Sequence, residues 1–427
     1  MISRRLTIKI KLTVTRRRIV GPFHLFRRSI SLLLWSALVL GAAKFSVTAF
    51  LAVYLSQILR LPAWQTGTIL STALIVNYAL PAFSGAVTDR IGYRTAMALG
   101  CGFIGAGYSL FALSGIFPLL VLAAFFVGLG SALFDPSLRA ALGHLPKALR
   151  KRAFTGLNLA LNGGAVLGAG LGGGAVSLFN EKSPLIIGAL LSLALAASFL
   201  MLGSHLPGGS PSGRLRQTIR NVFSNRRFLR FSLTMSLYWI MYAQLTMAFP
   251  LQMFHLTRDS RWSGLIILTN GLFALLFMFL VRRRLEQTGS LERIRIGFAI
   301  TAAGLAAVPL QASTAAWVIL CVLLFTIGET FALPGMDIAV AEFSRSRDTA
   351  AHYGVFELSF ALGGSLGSYM GAVWMERWGE TAWPWILLSL PGIAGFFLMR
   401  YLVRDLRENP GGQNLFLRAA TRRRFFP

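Results

Sequence analysis

Acidic residues are scarce in this chain: 15 Asp and Glu stand against 42 Lys and Arg in 427 residues, and charged residues of both signs make up only 13%. So little charge, beside 55% hydrophobic residues, excludes an ordinary soluble domain. Cysteine is nearly absent. Cys101 and Cys321 both lie inside apolar blocks, so no disulfide framework is expected. Histidine is equally sparse, and His24, His144, His205, His255 and His352 form neither an HExxH pattern nor a set with serine and aspartate. No enzyme, metal centre or cofactor is expected from such a sequence. The first 28 residues lack the apolar core and small-residue cleavage site of a signal peptide and read as a basic cytoplasmic arm beside anionic lipid.

What the chain does have is apolar blocks of about 20 residues, the length a helix needs to cross a ~30 Å hydrocarbon layer. The blocks predict twelve transmembrane helices over 30–57, 64–87, 95–114, 118–142, 154–178, 184–204, 229–252, 262–281, 294–311, 315–338, 352–375 and 382–402. The net charge of +27 would suggest nucleic acid in a soluble chain. Here the basic residues fall between the blocks instead. Of the 42 Lys and Arg, 35 lie in the two termini and the segments on their side, and five lie on the other side. By the positive-inside rule both termini are cytoplasmic, and no nucleic-acid partner is expected.

The chain also repeats itself. GSALFDP (Gly130 to Pro136) recurs as GETFALP (Gly328 to Pro334) at an offset of 198, and Gly164, Gly168 and Gly172 recur as Gly363, Gly367 and Gly371 at 199. Between helices six and seven runs the polar linker GSHLPGGSPSGRLRQTIRNVFSNRR. Duplication and linker together predict two six-helix halves. Helices three, six, nine and twelve have no Asn, Gln or charged residue in their cores and are expected to face lipid. The others carry Lys44, Asn77, Asp135, Asn158, Asn162, Gln244, Asn270, Glu329 and Glu357, which are costly in hydrocarbon and should face a cavity or each other.

Twelve helices as six plus six, polar residues confined to eight of them, and GAVTDRIGYR (Gly85 to Arg94) between helices two and three resemble the major facilitator superfamily, over about Ile30 to Arg404. The decapeptide fits that family's loop pattern G-x-x-x-D-R-x-G-x-[RK]. The GLGSALFDPSLRAAL stretch further resembles bacterial drug:proton antiporters of the multidrug-efflux type.

In physical terms Gly85 and Gly92 permit a tight turn and close approach, while Asp89 can face a helix N-terminus and pair with arginine. The resemblance implies that Asp89, Arg90 and Arg94 brace helix two against helix eleven as a conformational latch, with Asp135 added to the charge cluster. Tyr93 departs from the pattern at a place that is usually basic. Helix five holds a glycine ladder at Gly164, Gly168, Gly172 and Gly173, suited to close helix packing and similar to the family's antiporter motif except that Ala169 replaces its proline. Ala124 stands where the fourth-helix arginine would fall, so coupling does not carry over to that position.

The remaining intramembrane charges are the candidates for proton coupling. Lys44 and Glu329 each lie about 21 Å along their helices, and Glu357 is the other deep acid. Either they carry a proton, or Lys44 forms a static pair with Glu329 or Glu357. Tyr238, Trp239, Tyr242 and Gln244 line an amphipath site or serve as packing, and Asn77, Asn158, Asn162 and Asn270 are further cavity candidates. Adding 198 to Arg139 gives Asp337, so the two are a candidate cytoplasmic gate pair.

The expectation is therefore an all-α membrane protein of twelve transmembrane helices in two pseudosymmetric six-helix bundles. Its parts are a basic arm at 1–29, a bundle at 30–204, a linker at 205–228, a second bundle at 229–402 and a basic tail at 403–427. It is expected to sit in the cell inner membrane as a monomer and to export a small amphipathic molecule against protons by alternating access. Proton-coupled uptake or facilitated transport is the alternative, because the fold does not fix direction. A channel would show no saturable counterflow, and a sensor would bind a partner without transporting.

Overall fold

A computed structural model describes residues 29–81, 88, 90–143, 145, 147–203, 222–344 and 349–408. Twelve long helices account for nearly all of them. They are α1 (Ser29–Ile58), α2 (Ala63–Ala79), α3 (Tyr93–Leu113), α4 (Phe117–Gly143), α5 (Lys147–Leu178) and α6 (Ser183–Leu202). After the linker come α7, in two pieces (Arg226–Tyr242 and Ala248–Thr257), then α8 (Ser263–Gln287), α9 (Ser290–Ala307), α10 (Ala315–Phe343), α11 (Thr349–Trp378) and α12 (Trp383–Glu408). Among the described residues, nine helical segments are long and apolar enough to cross a membrane on their own. An even number of crossings places residues 29 and 408 on one side, here the termini face; the other is the far face.

Local chemistry sets the turns. Gly92, at φ 82°, opens α3 from a conformation that side-chain-bearing residues rarely adopt. Pro62, extended at φ −60° and ψ 151°, opens α2. The last turn of α1 widens into a π-helical turn over Tyr54–Ile58. α7 breaks at Ala243–Leu245, just before the second piece carries Pro250 in its first turn, which has no N–H for the Thr246 carbonyl. There the Gln244 amide donates to the Ile240 and Gly367 carbonyls, at 2.8 and 2.9 Å, replacing ladder bonds that the break removes.

The packing repeats between halves. α3 lies against α4 and α6, as α9 lies against α10 and α12, and α2 packs on α4 as α8 does on α10. Glycines allow the closest approaches. A Cβ on Gly164, Gly168 or Gly172 of α5 would stand 2.6, 2.9 and 2.6 Å from α1 atoms, respectively Leu38 O, Ser46 N and Ser46 O. On α11, Gly363 and Gly367 meet the α7 backbone at Ser236 and Ile240 in the same way, each 2.8 Å away, and Gly371 meets Gln244. Gly173 is looser, at 3.8 Å from Phe50. Since lipid tails are as apolar as leucine, such backbone proximity is what holds helices together in a bilayer.

Two hydrophobic cores result. One draws only on residues between Leu33 and Phe199. The other spans Val222 to Leu402 and takes in Ala49, Phe50, Ala52, Val53, Ala63, Ala169 and Val176 from the far-face ends of α1, α2 and α5. The halves are thus fused by apolar packing on the far face. Elsewhere they meet along α2 with α11 and α5 with α8.

Lipid exposure departs from the every-third-helix pattern. The apolar windows of α6 and α12 are only 33% buried, as expected, but that of α3 is 56% buried and that of α8 only 22%. Leu272, Leu275, Leu276, Phe279 and Leu280 of α8 are all exposed. The reason is position: α8 sits at the rim of its half, so one polar residue on its inner face, Asn270, does not prevent the rest from facing outward.

Candidate functional site

Halfway along α1, Lys44 Nζ lies 3.1 Å from an Asp135 carboxylate oxygen of α4. The pair is partly hydrated, with side chains 23% and 37% exposed. Of the two sequence readings, the static one pairs Lys44 with Glu329 or Glu357; the structure places its partner in its own half, where α4 brings Asp135 to α1, while α10 and α11 belong to the other half. Asp135, expected beside the α2–α3 loop, is committed to Lys44.

Glu329, at the midpoint of α10, is buried and accepts a 2.6 Å hydrogen bond from Asn270 Nδ2 of α8. The same amide donates to Thr326 Oγ1 at 2.9 Å. Among the described residues Glu329 takes part in no ion pair. Tyr238 and Tyr242 lie within electrostatic range of it.

Nearer the termini face, Arg139 Nη1 of α4 stands 3.5 Å from Glu357 Oε1 of α11. Asp337 of α10 is close enough to act electrostatically on Arg139, and its backbone carbonyl accepts from Tyr353 Oη at 2.8 Å. The pair expected from the repeat is Arg139 with Asp337; the long arginine side chain instead reaches Glu357 of α11, with Asp337 left within electrostatic range.

Between these groups stands an aromatic cluster that crosses the halves. Tyr78 of α2 meets Phe360 edge-on at 4.1 Å between ring centres, Trp239 meets Phe360 at 4.3 Å and Tyr242 at 5.4 Å, and Trp239 Nε1 donates to Ser359 Oγ at 3.2 Å. Tyr78 and Phe360 escaped sequence reasoning. Their signal was position: Tyr78 follows Asn77, and Phe360 follows Glu357 by three residues on the same helix face.

Other candidates land elsewhere. Tyr238 is fully buried within its half, 3.4 Å from Thr301 Oγ1, and Gln244 is sealed against the break in α7, so both are packing residues rather than cavity liners. Asn77 is half-buried and Asn162 exposed. The Asn158 side chain, Gly85 and Asp89 lie outside the described residues. Of the remaining loop candidates, Arg90 is exposed, while Arg94 donates from Nε to the Phe199 carbonyl at 3.1 Å and from Nη2 to that of Leu200. A guanidinium on the last carbonyls of α6 completes that helix end, so Arg94 binds within its own half rather than to α11.

Comparison with known proteins agrees with this architecture. Residues 33–350 match the model of the Major Facilitator Superfamily. The chain is 24% identical over 379 residues to a "Multidrug resistance protein MdtH" of Blochmanniella floridana, covering 86% of this chain and 92% of that one. It is 26% identical over 355 residues to the protein of that name in Cronobacter sakazakii, covering 82% and 88%. Among solved structures, a POT family transporter in complex with a thioalcohol-conjugated peptide superposes with TM-score 0.76 at 17% identity, covering 89% of this chain and 96% of that one. The nucleoside transporter NupG superposes with TM-score 0.71 at 15% identity, covering 88% and 99%. The chain belongs to the Major Facilitator Superfamily and is a multi-pass membrane transporter built on that family's twelve-helix fold.

Proposed function

We propose that the protein is a proton-coupled exporter of small amphipathic molecules, working by rocking of residues 30–204 against 229–402. The observation that carries this reading is Glu329: a buried carboxyl midway through α10, hydrogen-bonded by a neutral amide at 2.6 Å and within electrostatic range of Tyr242, from which a chain of rings runs through Trp239 and Phe360 to Tyr78. A carboxylate with no cation beside it is costly in a membrane interior, so it gains or loses its proton as water and substrate come and go. The rings supply a flat apolar wall for an amphipath, and proton and substrate compete for one region. Likeness to multidrug resistance proteins supports a drug-like substrate and the export direction.

In this reading the protein works as a monomer in the bacterial inner membrane, with both termini cytoplasmic and their basic segments against anionic lipid. Lys44 with Asp135 shapes the cavity's electrostatics in the first half, and Arg139 with Glu357 and Asp337 gates the cytoplasmic side. The α2–α3 loop, with Gly85, Asp89, Arg90 and Gly92, is the latch. No covalent chemistry is performed on the substrate. The test is transport of cationic, neutral and anionic amphiphiles into inverted vesicles under an imposed pH gradient. Uptake of one class that collapses with the gradient supports export, whereas flux in the opposite sense assigns solute uptake.

A further inference from the structure

On the far face a cavity of about 1040 Å³ opens between the halves, lined by the ends of α1, α2, α7 and α11 and by the α9–α10 and α11–α12 connections. At its floor one contact joins the two halves by a charged group: Glu376 Oε1 of α11 accepts from the backbone N–H of Ala63, the first residue of α2, at 2.9 Å. α2 needs that acceptor. Its cap position is Pro62, which offers no side-chain hydrogen bond, and its first turn contains no acid. Among the described residues, the acid that meets the positive end of its dipole is therefore the carboxylate from the other half.

The matching places in the repeat are built differently. α8, the counterpart of α2, is entered through Asp259, whose carboxylate accepts locally from Arg261 N at 2.9 Å and is held below the usual carboxylate range by Arg261. The position 199 residues before Glu376 is Ser177, whose hydroxyl donates to the Gly173 carbonyl of its own helix. So one half-to-half boundary has its acid supplied locally, and the other has it supplied across the boundary. Below Glu376 the same helices interlock. A Cβ on Gly67 would stand 2.9 Å from Tyr369 Cα, and Ser71 Oγ donates to the Ser365 carbonyl at 2.7 Å while Ser365 Oγ donates back to that of Ser71 at 3.3 Å.

We propose that Glu376 is the far-face latch of the transport cycle, a positioning residue that holds α2 against α11 by capping α2 in trans and must release it before the far face opens. The cavity above gives water access to this contact, and His255, Arg258, Arg377 and Glu380 around it set its electrostatic surroundings. Loss of one charged helix cap shifts a closely balanced two-state equilibrium about fivefold.

The test places a cysteine at Ala372, a buried α11 residue lining the cavity, and follows its reaction with a membrane-impermeant maleimide added from the far face. Native Cys101 and Cys321 are buried and remain as internal reporters of unfolding. Glu376→Ala, and Glu376→Met if alanine fails to insert, should speed labelling at position 372 about fivefold while Cys101 and Cys321 stay protected. Glu376→Gln, whose amide oxygen can still accept from Ala63, should restore slow labelling. Unchanged labelling in the alanine or methionine variant overturns the latch, as does a rise shared by the native cysteines. The inference rests on transport by alternating access, but the measurement uses neither substrate nor proton gradient, so its failure leaves the coupling role of Glu329 untouched.

Discussion

Arg139 of α4 and Glu357 of α11 form an ion pair, at 3.5 Å, that joins the two halves of the transporter near the termini face. Arg139 is 59% exposed, so water screens the pair, and its worth is about 1 kcal/mol. That is enough to shift a balanced equilibrium about fivefold. Glu357→Gln should therefore favour the state open to the termini face, read as faster labelling of cysteines placed there. The exchange Arg139→Glu with Glu357→Arg should return labelling toward the wild-type rate. A double variant no better than the singles would show that the two charges act separately.

The Lys44–Asp135 pair predicts a different pattern. Lys44→Met removes the cation in contact with Asp135, leaving Arg139 at longer range, and after discounting for the 23% and 37% exposure the loss is about 1–2 kcal/mol. Adding Asp135→Asn should recover most of it. Thermal unfolding in detergent measures both, and additive losses in the double variant would mean that the contact contributes nothing.

The glycine ladder separates packing from propensity. Gly168 faces α1, with a would-be Cβ 2.9 Å from Ser46 N, whereas a Cβ on Gly170 meets nothing within 4 Å. Gly168→Ala should destabilise by about 1–3 kcal/mol through overpacking. Gly170→Ala should be neutral or stabilise by up to about 1 kcal/mol through helix propensity. Equal melting temperatures for the two variants would contradict the ladder.

The fold was legible because its determinants are long and redundant. Apolar blocks report helices whatever their neighbours, and the ladders Gly164–Gly168–Gly172 and Gly363–Gly367–Gly371 do mark equivalent contacts, α5 on α1 and α11 on α7. Pairings were less legible. Which acid meets Lys44 depends on which faces of separate helices turn toward each other, and that information is spread over every packing residue of α1, α4, α10 and α11. Arg94 shows the same limit: its partners are backbone carbonyls of α6, which no side-chain motif advertises. The break in α7 has only Pro250, in the first turn of the second piece, to announce it, and it is stabilised by a glutamine reaching into α11. Tyr78 and Phe360 looked like ordinary apolar-helix residues until their contact across the halves was seen.

The account turns on Glu329, and the most direct measurement is paired transport by Glu329→Gln in proteoliposomes, using an amphiphile identified by the vesicle panel. Glutamine keeps the size of the side chain and can still accept from Asn270, but it cannot exchange a proton. Accumulation driven by an imposed pH gradient should fall to the level of empty liposomes, while substrate–substrate counterflow, which needs no net proton movement, continues at a rate within a few-fold of wild type. Gradient-driven accumulation that survives in this variant would contradict the account and remove Glu329 from proton coupling.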